Sequence, residues 1–344
     1  MRGAVEFRHR LMSIVGKKGA DMSNYMTIEA LEDGLTAKMT LNDLEYSING
    51  GTWNTLAADT YTPAISKGSF ISFRKDNPSI EEFYGIGTFT ISKKCNLLGN
   101  CLSLIKGDNA ANYNYVDSYG FYGLFDSCSS IISVSKDFLP CQKVYSYAYN
   151  RMFNACTNLI QAPDLPATDI DNNCYSAMFN NCSSLRVAPD LPAEVMMGYC
   201  YQYMFYNCTS LEVAPIIGAK TIAKYCFSYM FYGCTSLEVA PKLSVKSVKE
   251  GCCYCTFRGC TNLTQAPVLE ATTLDANSCY RHMFSNCPNL SYIKMMARDV
   301  VATNCLTSWV DNVSPTGTFV KSKDATWNEV GVNGVPSGWT IVLE

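Results

Sequence analysis

The apolar and polar positions of this chain repeat themselves. "MFNNCSSL" at 178–185 returns as "MFYNCTSL" at 204–211 and as "MFYGCTSL" at 230–237. Aligned on the cysteine, the phrase falls at Cys128, Cys156, Cys182, Cys208, Cys234, Cys260 and Cys287, at intervals of 28, 26, 26, 26, 26 and 27. A second column lies eight residues upstream at Cys174, Cys200, Cys226, Cys252 and Cys279, and it continues to Cys305. "GFYGLFDSC" at 120–128 fits with Gly120 in the first cysteine slot, and Trp309, Val310 and Val313 carry the frame onward. That gives eight units over residues 116–313. A period of 20–29 residues belongs to solenoids of the leucine-rich-repeat kind.

Within a unit, Cys174, Met178 and Cys182 stand at i, i+4 and i+8, which predicts an apolar stripe on a helix of about two turns, widened by Phe179. Ser183 and Ser184 then predict a turn, and "LRVAP" (185–189) a short strand stopped by Pro189. The same order recurs as "LIQAP", "LEVAP" and "LTQAP". The expected fold is an α/β solenoid: a leucine-rich-repeat stack of about eight 26-residue coils, with a small N-terminal antiparallel β domain and a C-terminal β and aromatic cap. Neither face of such a unit is buried alone, and stacking buries both.

The cysteines follow from the same frame. Two cysteines eight apart on a helix lie about 12 Å from each other, too far for a disulfide. The expectation is that Cys156, Cys174, Cys182, Cys200, Cys208, Cys226, Cys234, Cys252, Cys260, Cys279 and Cys287 are structural columns of small buried hydrophobes. "CCYC" at 252–255 has metal spacing, with His282 one repeat later in the column of Cys255. Cys252 and Cys260 already belong to the repeat columns and no second CxxC lies nearby. Core packing, with one drifted surface cysteine, is expected instead of a metal site, and no cofactor is expected.

Outside the repeat the texture changes. "YMTIEAL", "LTAKMTL", "LEYSING", "FISFRK" and "GTFTISKK" are short alternating β runs, and "NGG" at 49–51 signals a hairpin. Residues 24–115 are expected to form a β-rich domain and N-terminal cap, and residues 314–344 a C-terminal cap. Trp309, Trp327 and Trp339 all fall in the last 36 residues, as a lid over the open solenoid end or, for the last two, as a sugar platform. Residues 1–23 are basic, a loose tail or a docking peptide.

Composition narrows the function. Of the 344 residues, 48% are apolar and 17% charged, as in a folded protein, and a net charge of −3 argues against a nucleic-acid partner. No apolar run reaches the length needed to insert in a membrane. The N-terminus lacks the apolar stretch of a secretion signal, so classical export is disfavoured. The two histidines, His9 and His282, lie far apart, and no nucleophile elbow, phosphate loop or metal-protease helix is present. The pair Glu81–Glu82 reads as solvated charge. No catalytic residue is assigned.

Internal comparison locates the variable columns. After the strand leucine stand Ile160, Arg186, Glu212, Glu238, Thr264 and Ser291; after the proline stand Asp164, Asp190, Ile216, Lys242 and Val268. Side chains beside a strand's fixed apolar positions point outward. A concave binding face is therefore expected to carry Arg186, Glu212, Glu238, Asp164, Asp190 and Lys242. Tyr175, Tyr201 and Tyr280 form a tyrosine column that either contacts sugars or packs between coils.

The units "CYSAMFNNCSSLRVAPDLPA" and "CFSYMFYGCTSLEVAP", together with "YMTIEALEDGLTAKM", "FTISKKCNLLGNC" and "GTFVKSKDATW…GVNGVPSGWT", resemble the BspA-type leucine-rich repeats of gut Bacteroidales and their phages. The resemblance covers almost the whole chain and brings no catalytic motif. It implies a surface adhesin or a virion-associated interaction protein. With no signal sequence, the expectation is a phage appendage protein, assembled in the host cytoplasm. Its N-terminal region would dock to other virion proteins while its solenoid face recognises a protein or surface glycan, in a possible homo-oligomer. The alternative is a bacterial cell-surface adhesin that binds host matrix protein or glycan.

Overall fold

The structure, a computed structural model, describes residues 22–40, 43–75 and 85–344. The basic segment 1–21, with His9, and the acidic pair Glu81–Glu82 lie outside the described residues.

The N-terminal β runs form strands β1 (Met26–Ala30), β2 (Ala37–Met39), β3 (Leu44–Ile48), β4 (Asn54–Leu56), β5 (Phe70–Arg74), β6 (Phe89–Ile91) and β7 (Cys95–Leu98). Five of them lie side by side in the order β4-β3-β5-β1-β7, all antiparallel. After β3 the chain reverses at Asn49 and Gly50, both left-handed (φ 52° and 71°), and the Gly51 amide closes the turn on the Ile48 carbonyl at 3.0 Å. This is the backbone that Asn-Gly favours. A short helix, α1 (Ser103–Lys106), and β8 (Tyr115–Val116) lead into the repeat.

The sheet does not end at β7. Its last neighbour, β9 (Ile131–Val134), runs parallel to β7 and belongs to the first repeat. From there parallel pairing passes from coil to coil. Nine rungs stand at Ser133, Gln161, Val187, Val213, Val239, Gln265, Tyr292, Thr318 and Thr340, each bridged to the next except Val213 to Val239. β10 (Lys143–Val144) pairs with β8 and with β11 (Asp169–Ile170) in a second ladder. β12 (Thr273–Leu274) pairs with β14 (Asp299–Val300), farther along the stack. The stack thus has about nine turns, one more than the eight expected, because β15 (Thr318–Lys321) and β16 (Thr340–Leu343) extend the parallel sheet of β13 (Tyr292–Met295) instead of standing apart.

The expected helices are absent. Among the described residues α1 is the sole α-helix, and the Met–Phe segments are chains of turns. The fold is therefore a mostly β solenoid, and the α/β expectation is corrected. The left-handed conformation recurs every fourth residue: at Asn173, Ala177 and Asn181, at Tyr199, Tyr203 and Asn207, and at Tyr225, Tyr229 and Gly233. Alternate amides then take different partners. Tyr175, Ala177, Phe179 and Asn181 donate to Cys200, Gln202, Met204 and Tyr206 of the next coil, at 2.7 to 3.1 Å. Ser176, Met178, Asn180 and Cys182 donate back three residues within their own coil, at 3.1 or 3.2 Å.

A coil with a period of four puts residues i, i+4 and i+8 on one side, as an α-helix does, so the apolar stripe suits both. The left-handed residues decide between them. A non-glycine residue there costs about 1–2 kcal/mol, and the inter-coil hydrogen bonds and shared core offset that cost only when coils are stacked. A single coil has no such compensation.

One continuous core fills the stack. Phe125, Phe153, Phe179, Phe205, Phe231, Phe257 and Phe284 form a ladder with centroids 5.4 to 5.7 Å apart and nearly parallel rings. Phe89 of β6 joins its lower end at 5.6 Å. Trp309 closes its upper end, 6.0 Å from Phe284, with its indole nitrogen donating to the Gly334 carbonyl. Trp327 and Trp339 likewise donate to the carbonyls of Ala297 and Ser314.

Candidate functional site

The outer edge of the first ladder carries a groove of about 600 Å³. It is built from the segment that follows each repeat cysteine. Leu159, Leu185, Leu211 and Leu237, three residues after the cysteine, are fully buried and anchor the segment. The neighbouring positions therefore face out. Two residues after the cysteine stand Asn158, Ser184, Ser210 and Ser236, and four after it stand Ile160, Arg186 and Glu212; all of these line the groove. Lys94, just before β7, closes one end.

Arg186 and Glu212 meet across adjacent coils. Nη2 of the arginine lies 2.6 Å from Oε1, and Nε lies 3.2 Å from the same oxygen. Their side chains are 61% and 50% exposed, so the pair adds little stability, about 0–1 kcal/mol. It sets one positive and one negative head group side by side on the outer surface of adjacent rungs. Beside it runs a stripe of solvent-facing valines, Val187, Val213 and Val239. Because each rung makes only brief ladder contacts, both residues after the buried leucine are exposed, where strict strand alternation would hide one of them.

The structure brings together only part of the expected face. Arg186 and Glu212 share the groove, and Glu238 follows them one coil on, exposed. Asp164, Asp190 and Lys242 stand past the proline, outside the lining. Asp164 lies 3.8 Å from Lys136. Asp190 is used structurally, since its Oδ1 accepts the Ile216 amide at 2.9 Å and caps the next coil. Lys242 is exposed and makes no ion pair among the described residues. The serine and asparagine column was visible in the sequence as a fixed polar position, but it reads there only as a turn. Lys94 comes from another segment and carried no local signal.

Tyr175, Tyr201 and Tyr280 are at most 2% exposed. Tyr149, Tyr175, Tyr201 and Phe227 stack as an inner aromatic ladder, so this column packs between coils and offers nothing to a sugar. All eighteen cysteines are free and buried. The one surface cysteine expected within 252–255 is not there: Cys252, Cys253 and Cys255 are all buried, and the Cys255 thiol lies against Tyr229, Tyr254 and Arg258. No group of three or more metal-ligating side chains gathers among the described residues.

The cysteines do more than fill space. Cys156, Cys182, Cys208, Cys234, Cys260 and Cys287 each donate the thiol hydrogen to a phenylalanine carbonyl of the preceding coil, at 3.0 to 3.2 Å. Burial pushes these thiols up; Cys128, at the start of the column, reaches about 11 and Cys287 about 12. They are protonated, unreactive donors at neutral pH.

No helix among the described residues is long and apolar enough to cross a membrane. No protein-family model matches the chain, and neither a curated protein nor a solved structure matches it.

Proposed function

We propose that this chain is a non-enzymatic recognition module related to the BspA-type leucine-rich repeats, carried on a phage virion appendage and holding a protein or glycan of the host surface in the strand-face groove. The observation that carries the reading is the contrast between columns. Inward positions keep Leu, Cys and Phe from coil to coil, whereas the groove column changes from Ile160 to Arg186 to Glu212 to Glu238 on the same frame. A fixed scaffold with a variable outer column is how a stacked-repeat protein encodes a binding surface. The eighteen unbridged thiols suit folding in a reducing compartment, where a virion protein is assembled.

Three measurements test it. Immunogold electron microscopy of virions should place the chain on an appendage; labelling confined to a bacterial envelope would replace this with the adhesin reading. Purified protein should bind intact host cells, and Arg186→Glu should weaken that binding without changing the melting temperature. Hydrolysis of a glycan library by the purified protein would overturn the non-enzymatic assignment.

A further inference from the structure

The opposite side of each coil, the run of turns, carries a second set of outward columns that the repeat frame does not require. On two adjacent coils these are tyrosines: Tyr199 stacks on Tyr225 at 5.1 Å, Tyr203 on Tyr229 at 4.7 Å and Tyr206 on Tyr232 at 4.6 Å. All six are half-buried. Because the rings of each pair lie within 13° of parallel, each covers its partner's face, and the Tyr225 hydroxyl donates to Glu250 Oε1 at 3.2 Å.

Beyond these two coils cationic side chains appear. Arg258 follows Tyr232 in its column, with its guanidinium 5.9 Å from that ring, and Arg281, one coil further and in the column of Tyr254, lies 5.9 Å from the Tyr254 ring. His282 falls in the column of Tyr229 and Cys255, 6.1 Å from Tyr254. Neither arginine forms a salt bridge among the described residues. Arg258 Nε, Arg281 Nε and His282 Nδ1 are enclosed and have no hydrogen-bond partner. The charged groups that act on His282 are the two arginines and, more weakly, Asp311. Both cations act on His282, and neither has a carboxylate partner among the described residues, so positive charge accumulates on this face. An anion over the patch relieves that.

We propose that this turn face, centred on Arg258 and Arg281 and bordered by Tyr229, Tyr232 and Tyr254, is a binding site for an acidic carbohydrate, one bearing carboxylate or sulfate groups. Charge complementarity fixes the sign of the ligand: planar guanidinium groups match carboxylate and sulfate oxygens in pairs. The chemistry of the border fixes the class. No exposed aliphatic side chain falls within the turn segments 199–208, 225–234, 251–260 or 278–287, whereas the strand face is lined with valines. A surface of tyrosine hydroxyls and ring edges without aliphatic anchors suits a hydroxyl-rich ligand more than a protein partner's hydrophobic hot spot. This site is separate from the strand-face groove and does not depend on it.

Isothermal titration with a heparin-derived tetrasaccharide and with tetragalacturonate, using maltotetraose as the uncharged control, tests the proposal. Either acidic probe should bind, more weakly at higher salt, while maltotetraose does not. Arg258→Gln and Arg281→Gln should each lower the affinity roughly ten- to hundredfold, the loss of a charge-assisted hydrogen-bonded contact. Lys67→Glu, at an exposed position before β5 in the N-terminal sheet and part of neither proposed site, should leave it unchanged. Arg281→Lys retains the charge and, if the glutamine variants fold poorly, still reports the loss of paired geometry. Binding of neither acidic probe, equal binding of maltotetraose, equal binding of tetraglutamate, or affinity unchanged in both arginine variants would each overturn the assignment.

Discussion

The thiol of Cys182 donates a hydrogen bond to the carbonyl oxygen of Phe153, one coil back and 3.1 Å away. The same carbonyl accepts the amide of Cys156 at 3.2 Å. One buried oxygen thus ties the turn of its own coil to the side chain of the next, which explains why a small polarizable donor recurs at a position that size alone would leave open to alanine.

Replacing Cys182 by alanine removes both the sulfur volume and the donor. The expected loss is about 1–3 kcal/mol, from a small cavity and a carbonyl deprived of one partner. Urea denaturation measures it. A loss below about 0.5 kcal/mol would reduce the column to passive filler.

The thiols also give the fold an alkaline limit. In the unfolded chain a thiol ionises near pH 8.5, whereas in the folded protein burial keeps it protonated, up to about 11 for Cys128 and Cys141. Above pH 8.5 the native state therefore holds more protons than the unfolded state, and stability falls as pH rises. Each such thiol contributes a slope of about 1.4 kcal/mol per pH unit. Under reducing conditions the urea midpoint should drop sharply between pH 7.5 and 9.5. A flat profile would mean that the thiols are solvated.

Gly251 ends one tyrosine column. It is left-handed (φ 54°), and a Cβ there would stand 2.2 Å from the ring of Tyr225. Gly251→Ala should cost about 1–3 kcal/mol, since the ring must leave its stack on Tyr199. Gly259→Ala, also left-handed but with nothing nearer than 3.7 Å, should cost less. Equal melting temperatures for the two variants would contradict this packing.

Much of the architecture was legible in the sequence because each coil meets a near-copy of itself, so register, period and inward columns repeat openly. The secondary structure inside the Met–Phe segment was not. Over nine residues the periods 3.6 and 4 put Cys174, Met178 and Cys182 on the same side. The discriminating signal lay at the position before the cysteine. It holds asparagine or glycine in six of eight units, Asn181, Asn207, Gly233, Gly259, Asn286 and Asn312, the residues that best tolerate the left-handed region. In the candidate groove, Arg186 and Glu212 were found because their column varies. Ser184, Ser210 and Ser236 were passed over because theirs does not, and Lys94 reaches the groove only through the pairing of β7 with β9. Asp190 was placed on the binding face because the sequence does not reveal that its carboxylate caps the amide of Ile216.

The central claim is that the repeat is a stack of turn-built coils rather than helices, and Ala177 reports on it directly. Its φ is 54° and its side chain is half-buried. In a left-handed turn, Ala177→Gly removes the Cβ strain, which outweighs the added freedom of the unfolded chain, so unfolding free energy measured in urea should stay level or rise by up to about 1 kcal/mol. In a helix interior the same substitution lowers it by about 1 kcal/mol, and that result would contradict the coil described above.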